Sequence, residues 1–392
     1  MKKILILNPY LPTLGGGEKY MGFLCQFIEN YFNNNVKIDI LVFNYNDIDI
    51  FSDTYVTIEK LNLQYDLHLK NTYLRKENFV ERDNQEEIIA DISGEYDLFI
   101  NFMIFSRQIP RAKKNVYLCM FPPKSWSMEC GKGLKNKILA RIKDRQFIKA
   151  YDKFVIICEY SNHWFFNYWK TVRKSNIIYS PVFSEKDLTG RYDEKKKKNI
   201  IVSVGRFFVA AHSKKQLEMV QFFVGHQEIF KDYEYHLVGA VSNYVQDQEY
   251  LAKIKILASQ VSNIYIHENC PYEELMKLYE SAKIFWHATG YGIDENSEPE
   301  KMEHFGITTV EAMSFGVVPV VIRKGGQRET VKEGENGFLW NTEEECIQKT
   351  NLLIDDDDLR KKMAVVSAER AKDFSIEKFY KENRRVFDEL QI

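Results

Sequence analysis

Closely spaced cysteines are missing from this sequence. Cys25, Cys119, Cys130, Cys158, Cys270 and Cys346 stand singly, which excludes a zinc knuckle and a small disulfide scaffold and suits reduced thiols. Also missing is any apolar run near the roughly 18–20 residues that span a bilayer. The opening MKKILILNPYLP is interrupted at Asn8 and Pro9, too early for a signal-peptide core, and reads as a buried strand. A soluble, cytoplasmic protein is expected. No G-x-G-x-x-G appears, and no acidic residue ends a second strand at the usual distance, which counts against a dinucleotide-dependent enzyme. No Asp-x-Asp stands in a strand context, because DIDI (47–50) and DDDD (355–358) read as surface or helix-start positions. No metal is expected. Phe and Tyr fall at core spacings with no RNA-binding motif beside them, which counts against a nucleic-acid partner.

What is present is two series of short apolar runs alternating with helical patterns. KKILILN, KIDILVF, YDLFINF, NVYLCMF and FVIICEY read as buried parallel strands of one sheet. IIVSVGR, YEYHLVG, IYIHE, KIFWHA and VVPVVI read as those of a second. Between them SEKDLTGRYDEKKKKN, residues 184–199, is polar, carries four consecutive lysines at 195–198, and reads as a solvated linker. A chain of 392 residues is expected to form two domains in any case. The fold class is therefore α/β, two doubly wound Rossmann-like domains facing a cleft. The expected divisions are 1–183, the linker 184–199, 200–375, and a closing segment 376–392.

Ligands of such sheets bind where strand carboxyl ends meet helix N-termini. Three loops of this kind stand out. In PTLGGGEKY, Gly15, Gly16 and Gly17 permit positive φ and close backbone approach ahead of a helix, which can cradle a phosphate; a plain tight turn explains them equally well. SVGRFFVAAHSKKQLEMV sets Arg206 directly after a strand and Lys214 and Lys215 at a helix start. Lysine there opposes the helix dipole unless an anion offsets it. Arg206 and one of the lysines are therefore read as ligands of a departing diphosphate. The third loop leads into EHFGITTVEAMSFG, where Glu303 and Glu311 are eight positions apart. On one continuous helix they cannot meet one small target. With Gly306 before a helix starting near Ile307, Glu303 lies in the loop and Glu311 one turn inside. The two acids can then grip different parts of one elongated molecule, a hexose and a ribose diol.

The Glu-x7-Glu element with Phe-Gly-Ile, followed by GVVPVV, GGQRE (325–329) and GENGFLW (334–340), resembles the retaining glycosyltransferases of family 4, which have the GT-B fold. The likeness extends over nearly the whole chain. WHATGYG and EHFGITTVEAMSFG are most similar to the branch with lipid-linked-oligosaccharide mannosyltransferases and bacterial polysaccharide enzymes. The resemblance implies that Glu303 contacts the donor sugar and Glu311 the ribose. Phe305, Gly306 and Ile307 would present backbone groups to sugar and pyrophosphate. Arg206 would bind the diphosphate with Lys214, or with Lys215 one register on, while Gly16 and Gly17 close on the phosphates. The substrates would be a nucleotide-diphosphate sugar, with no separate cofactor, and a glycan, lipid-linked or protein acceptor. Retention by front-face displacement is implied, the leaving diphosphate helping to deprotonate the acceptor hydroxyl. No third carboxylate stands out opposite Glu303 as a covalent nucleophile. One position departs from the pattern: many relatives have histidine where YLCMFPPK has Met120, whose thioether cannot donate a hydrogen bond. His287 in FWHATG is the nearest candidate for polar help, with a purely structural histidine as the alternative. Rival readings are another GT-B enzyme, an epimerase or phosphorylase, and a sugar-nucleotide-binding partner subunit without catalysis. The last should have lost Glu303 or Arg206.

Charge is unevenly spread. Residues 101–150 hold 12 Lys and Arg against Glu129 and Asp144 alone, about +10 in a chain whose net charge is −2. Within 107–149, Leu134, Ile138 and Ile142 form a short apolar stripe that Arg145 and Lys149 interrupt. A solvated helix explains this block; so does electrostatic docking, without insertion, on an anionic membrane surface. Residues 376–392 read as an amphipathic helix with Phe379, Val386, Phe387 and Leu390 on its apolar side, and the resemblance implies that it crosses back to the first domain.

Overall fold

The computed structural model describes residues 1–8, 15–44, 57–78, 84–170, 175–209 and 212–392. The chain forms two compact units, residues 1–181 with 376–392, and residues 182–375.

In the first unit β1 (Lys2–Leu7) leads through α1 (Gly16–Tyr31) to β2 (Val36–Asn44), followed by α2 (Ile58–Tyr65), β3 (Thr72–Asn78) and α3 (Gln85–Ser93). Then come β4 (Leu98–Asn101), β5 (Lys114–Cys119), α4 (Trp126–Glu129), α5 (Leu134–Ala150), β6 (Lys153–Ile156), α6 (Glu159–Tyr168) and β7 (Asn176–Ile177). All seven strands run parallel in the order β3-β2-β1-β4-β5-β6-β7. Central strands covered by helices on both faces need continuous apolar runs, and Ile4, Leu5, Ile6 and Leu7 are all fully buried.

The second unit begins with α7 (Glu185–Leu188) and continues β8 (Ile200–Val204), α8 (Gln216–Gly225), α9 (Gln227–Phe230), β9 (Glu234–Gly239), α10 (Val245–Ala258), β10 (Ile264–Glu268) and α11 (Tyr272–Ser281). It is completed by β11 (Ile284–His287), α12 (Ile307–Ser314), β12 (Val318–Ile322), α13 (Gln327–Thr330), β13 (Phe338–Trp340), α14 (Glu343–Asp355) and α15 (Asp357–Ala371). Its six parallel strands lie in the order β10-β9-β8-β11-β12-β13. Trp286 and Trp340, at most 1% exposed, anchor its core. Both units are thus Rossmann-like.

The chain then returns to the first unit as α16 (Ile376–Leu390). Its buried side holds Phe379, Val386, Phe387 and Leu390. Phe387 meets the Phe27 ring edge-on at 5.2 Å and Phe379 meets Tyr20 at 4.9 Å, while the Tyr31 hydroxyl donates to Asp388 at 2.8 Å.

Residues 184–199, read from sequence as a solvated linker, are built into the second unit. Ser184 caps α7. Glu194 pairs with Arg360, which is fully buried. The Lys197 ammonium donates to the carbonyls of Tyr279 and Ala282 at 3.0 and 2.8 Å, and burial pushes its pKa down to about 7. The partners of this polar stretch lie far away in sequence, so its composition alone resembled a hinge.

The basic segment contributes α5. Ala140, Asp144 and Phe147 face inward, and the Asp144 carboxylate accepts the Trp126 and Ser127 N–H groups at 2.9 and 3.3 Å. Leu134, Ile138, Leu139 and Ile142 remain 45–77% exposed. Among the described residues no helix is long and apolar enough to cross a membrane.

Candidate active site

The carboxyl ends of β8 and β11 bring three of the expected side chains together. Lys214, in the loop between β8 and α8, reaches the Glu303 carboxylate with its ammonium. Lys215 is turned elsewhere: it takes up left-handed backbone as the N-cap of α8, and its ammonium lies 2.9 Å from Glu218. Of the two lysines, only Lys214 joins Glu303. Arg206 sits exposed on the same loop, its guanidinium 5.2 Å from the Phe208 ring.

His287, the last residue of β11, is 2% exposed and places Nε2 3.2 Å from the same Glu303 oxygen. Burial pushes its imidazole below the ordinary value, so the neutral ring must carry its proton on Nε2 to donate to the carboxylate. Thr289 Oγ1 is also 3.2 Å from Nε2. His287 Nδ1 is buried without a hydrogen-bond partner among the described residues. Burial alone would raise the Glu303 carboxyl; the Lys214 charge and the His287 hydrogen bond together outweigh it and hold the group well below the usual carboxylate range. Glu303 is therefore ionised.

Two further histidines border the pair. His212 and His304 meet ring edge to face at 4.6 Å, with His212 Nδ1 3.2 Å from the Met302 carbonyl and His304 Nε2 3.2 Å from that of Glu300. Burial lowers both, and His304, with His212 beside it, is pushed down to about 3.

α12 begins at Ile307 behind Gly306, whose φ of 91° favours glycine. A Cβ there would lie 2.7 Å from Gln327 Nε2. That amide is buried, and its nitrogen has no partner among the described residues, although its oxygen accepts from Thr309 Oγ1 at 3.0 Å. The first N–H groups of a helix have no intrahelical acceptor, so this corner offers donors from both backbone and side chain. Gly325 holds the GGQRE turn against it: at φ 58°, a Cβ would come within 2.1 Å of the Glu303 carbonyl. Phe305 packs its ring on Phe374 at 5.2 Å, so only its backbone is available to a ligand.

Glu311 lies one turn inside α12 and is buried. It is not part of the Glu303 cluster; its charge acts on Arg191 and Tyr279. Arg191, whose guanidinium lies 3.8 Å from the Phe183 ring centre, keeps Nη1 buried without a hydrogen-bond partner among the described residues. Gly16 and Gly17 belong to the first unit, where Gly16 opens α1 and a Cβ on Gly17 would sit 3.8 Å from Met120 Sδ. Glycine loop and departing methionine are therefore neighbours. Among the described residues no cluster of three or more His, Cys, Asp or Glu suits a metal ion; within DDDD, Asp355 ends α14, Asp356 is the N-cap of α15, and Asp357 and Asp358 open it, and DIDI lies outside the described residues.

Residues 185–370 match the family model described as Glycosyl transferases group 1. The matched stretch spans nearly all of the second unit. An uncharacterized glycosyltransferase of Methanocaldococcus jannaschii is 29% identical over 138 residues, 34% of this chain, and the match spans only 38% of that relative's own length. A GDP-Man:Man(3)GlcNAc(2)-PP-Dol alpha-1,2-mannosyltransferase of Kluyveromyces lactis is 23% identical over 399 residues, covering 86% of this chain and 67% of its own. Anabaena HepE, solved in complex with UDP and glucose, superposes with a TM-score of 0.67 at 16% identity, covering 99% of this chain and 100% of that one. The architecture is that of the GT-B glycosyltransferases.

Within the second unit, sequence reasoning missed His212, His304, Gln327 and Arg191. His304 stands inside the quoted EHFG, and a histidine beside a candidate acid was the available signal. Arg191 lay in the supposed linker, and nothing in its local sequence links it to Glu311.

Proposed function

We propose that this chain is a retaining, family 4 glycosyltransferase that moves a hexose from a nucleotide-diphosphate sugar to a hydroxyl of a glycan, lipid-linked or protein-linked acceptor, without a metal ion, at the cytoplasmic side of a membrane. The observation that carries the reading is the Lys214–Glu303–His287 cluster with Arg206 on the same loop. An ammonium has three donors, so Lys214 can keep Glu303 and still meet two phosphate oxygens. Arg206 supplies a second cation for the charge that develops on the leaving diphosphate. Glu303, ionised and held from two sides, accepts from sugar hydroxyls, and its fixed position limits the poses the sugar can take. Backbone N–H groups at Gly306 and Ile307 and the Gln327 amide complete the anion pocket. Glu311 takes the ribose. The reaction breaks the bond from anomeric carbon to diphosphate and forms one to the acceptor oxygen on the same face, the acceptor proton leaving with the diphosphate. The similarity to mannosyltransferases and to a structure holding UDP and glucose supports glycosyl transfer.

A panel of GDP-, UDP- and dTDP-sugars tested by thermal shift examines this directly. One base should raise the apparent melting temperature in a concentration-dependent way, and Arg206→Ala should abolish that rise. A panel in which no nucleotide sugar shifts the transition would remove the reading.

A further inference from the structure

The outward face of α5 has no role in sugar transfer as argued above, and it combines exposed apolar side chains with cations. At about 3.6 residues per turn, Leu134, Ile138 and Ile142 fall in one row opposite the side on which Ala140, Asp144 and Phe147 pack. Leu139 flanks the row. These four apolar side chains are 77%, 49%, 45% and 50% exposed in the order Leu134, Ile138, Ile142, Leu139. Lys135, Lys137, Arg141, Lys143, Arg145 and Lys149 surround them, and the helix's one acid, Asp144, is turned inward onto α4. Residues 131–139 are exposed without exception, so the first turns project from the unit. Nothing acidic stands in the first turn, where Lys135 and Lys137 oppose the helix dipole, and Gly133 offers no side-chain cap. An anion at that end would relieve both.

We propose that α5 is an interfacial helix that seats its apolar row in the headgroup region of an anionic bilayer, with the surrounding lysines and arginines on the lipid phosphates. Projecting apolar side chains ringed by cations match a soft anionic surface, and each cation near such a surface adds about fivefold in affinity. A second copy of the chain is a poor occupant, because it would set one cationic rim against another. The apolar row goes beyond electrostatic docking alone: it requires shallow insertion. The proposal rests on the face of α5 and is independent of the donor reading, so it is measured with no nucleotide sugar present.

The experiment is co-sedimentation of the full chain with phosphatidylcholine vesicles with and without phosphatidylglycerol, at about 0.1 M salt, near one Debye length of 10 Å. Binding to anionic vesicles should exceed binding to neutral ones by tenfold or more. Leu134→Ser, Ile138→Ser and Ile142→Ser combined should lower anionic-vesicle binding at least tenfold, as should Lys135, Lys137, Arg141 and Lys143 changed together to Ser. All seven positions are exposed, and circular dichroism with an unchanged melting temperature would confirm that both variants fold. Ile138→Trp should gain emission that brominated acyl chains quench. Equal sedimentation with both vesicles, or none with either, overturns the proposal. Full binding by the apolar variant overturns insertion. A wild-type dimer that the apolar variant makes monomeric assigns the face to a second copy instead.

Discussion

Cations at the loops of the second unit and on α5 of the first are used differently. In the second, Lys214 is bound to Glu303, Lys215 to Glu218, Lys197 to two carbonyls, and Arg360 to Glu194 and Asp357. In the first, the six cations of α5 form no ion pair among the described residues and stand in solvent. A charge taken out of water must be matched by partners of fixed geometry, so the second unit's cations hold loops in place. Exposed unmatched charges hold nothing; they are available to whatever comes. Arg206 is the exception that connects the two cases, a solvent-facing cation on the loop that also carries the buried pair.

The largest effect expected from the contrast between units follows removal of α16. Four apolar side chains of α16 are removed from the first unit's core, and each contributes about 1.5–3 kcal/mol. A chain ending at residue 375 should lose the first unit's cooperative melting transition and keep the second's in calorimetry. A single unshifted transition would show that α16 is dispensable.

Next in size are Arg206→Ala and Glu303→Ala. Each removes a preorganised charge and should lower transfer by roughly 10²–10³, about 3–4 kcal/mol. Their stabilities should part company. Exposed Arg206, in no ion pair among the described residues, should leave the melting temperature where it is, whereas loss of Glu303 strands Lys214 and His287 and should cost about 1–3 kcal/mol. Near-wild-type turnover in either variant would break the site; equal stabilities would break the distinction between paired and unpaired charge.

A smaller effect is expected from pH. His304 is held neutral in the folded chain, its pKa down at about 3, while the unfolded chain takes up a proton below about 6.5. The unfolded state then binds more protons, so the stability present above pH 6.5 is lost as pH falls toward 3. At pH 5 the His304 share is about 2 kcal/mol. His304→Gln should reduce by that amount the stability difference between pH 7.5 and pH 5 in urea unfolding. An unchanged difference would remove His304 from the account.

Ten strands were legible as apolar runs, and the three that were not, β3, β7 and β13, are all edges of their sheets. An edge strand needs no continuous apolar run, and β3 reads TYLRKEN, a polar string with no strand signature. The start of α12 was legible because Gly306 and the spacing of two acids fix it. The environment of Glu303 was not, because His287, His212 and Lys214 arrive from 16 to 91 positions away, and periodicity carries no information about which loops meet. In α5 the apolar row was visible, but which way it faced was decided by Phe147 and Asp144, whose partners belong to other elements.

The return of α16 also sets an order of events during synthesis. Domains usually complete themselves as they emerge, the earlier one first. Here the first unit lacks a wall until residues 376–392 are made, while all of the second, 182–375, is already available. At roughly 5–20 residues per second, that intervening stretch occupies about 10–40 s. Throughout it the nascent first unit presents the uncovered rings of Tyr20, Phe27 and Tyr31, a surface for chaperones to hold and the point at which slow or interrupted translation would do most harm.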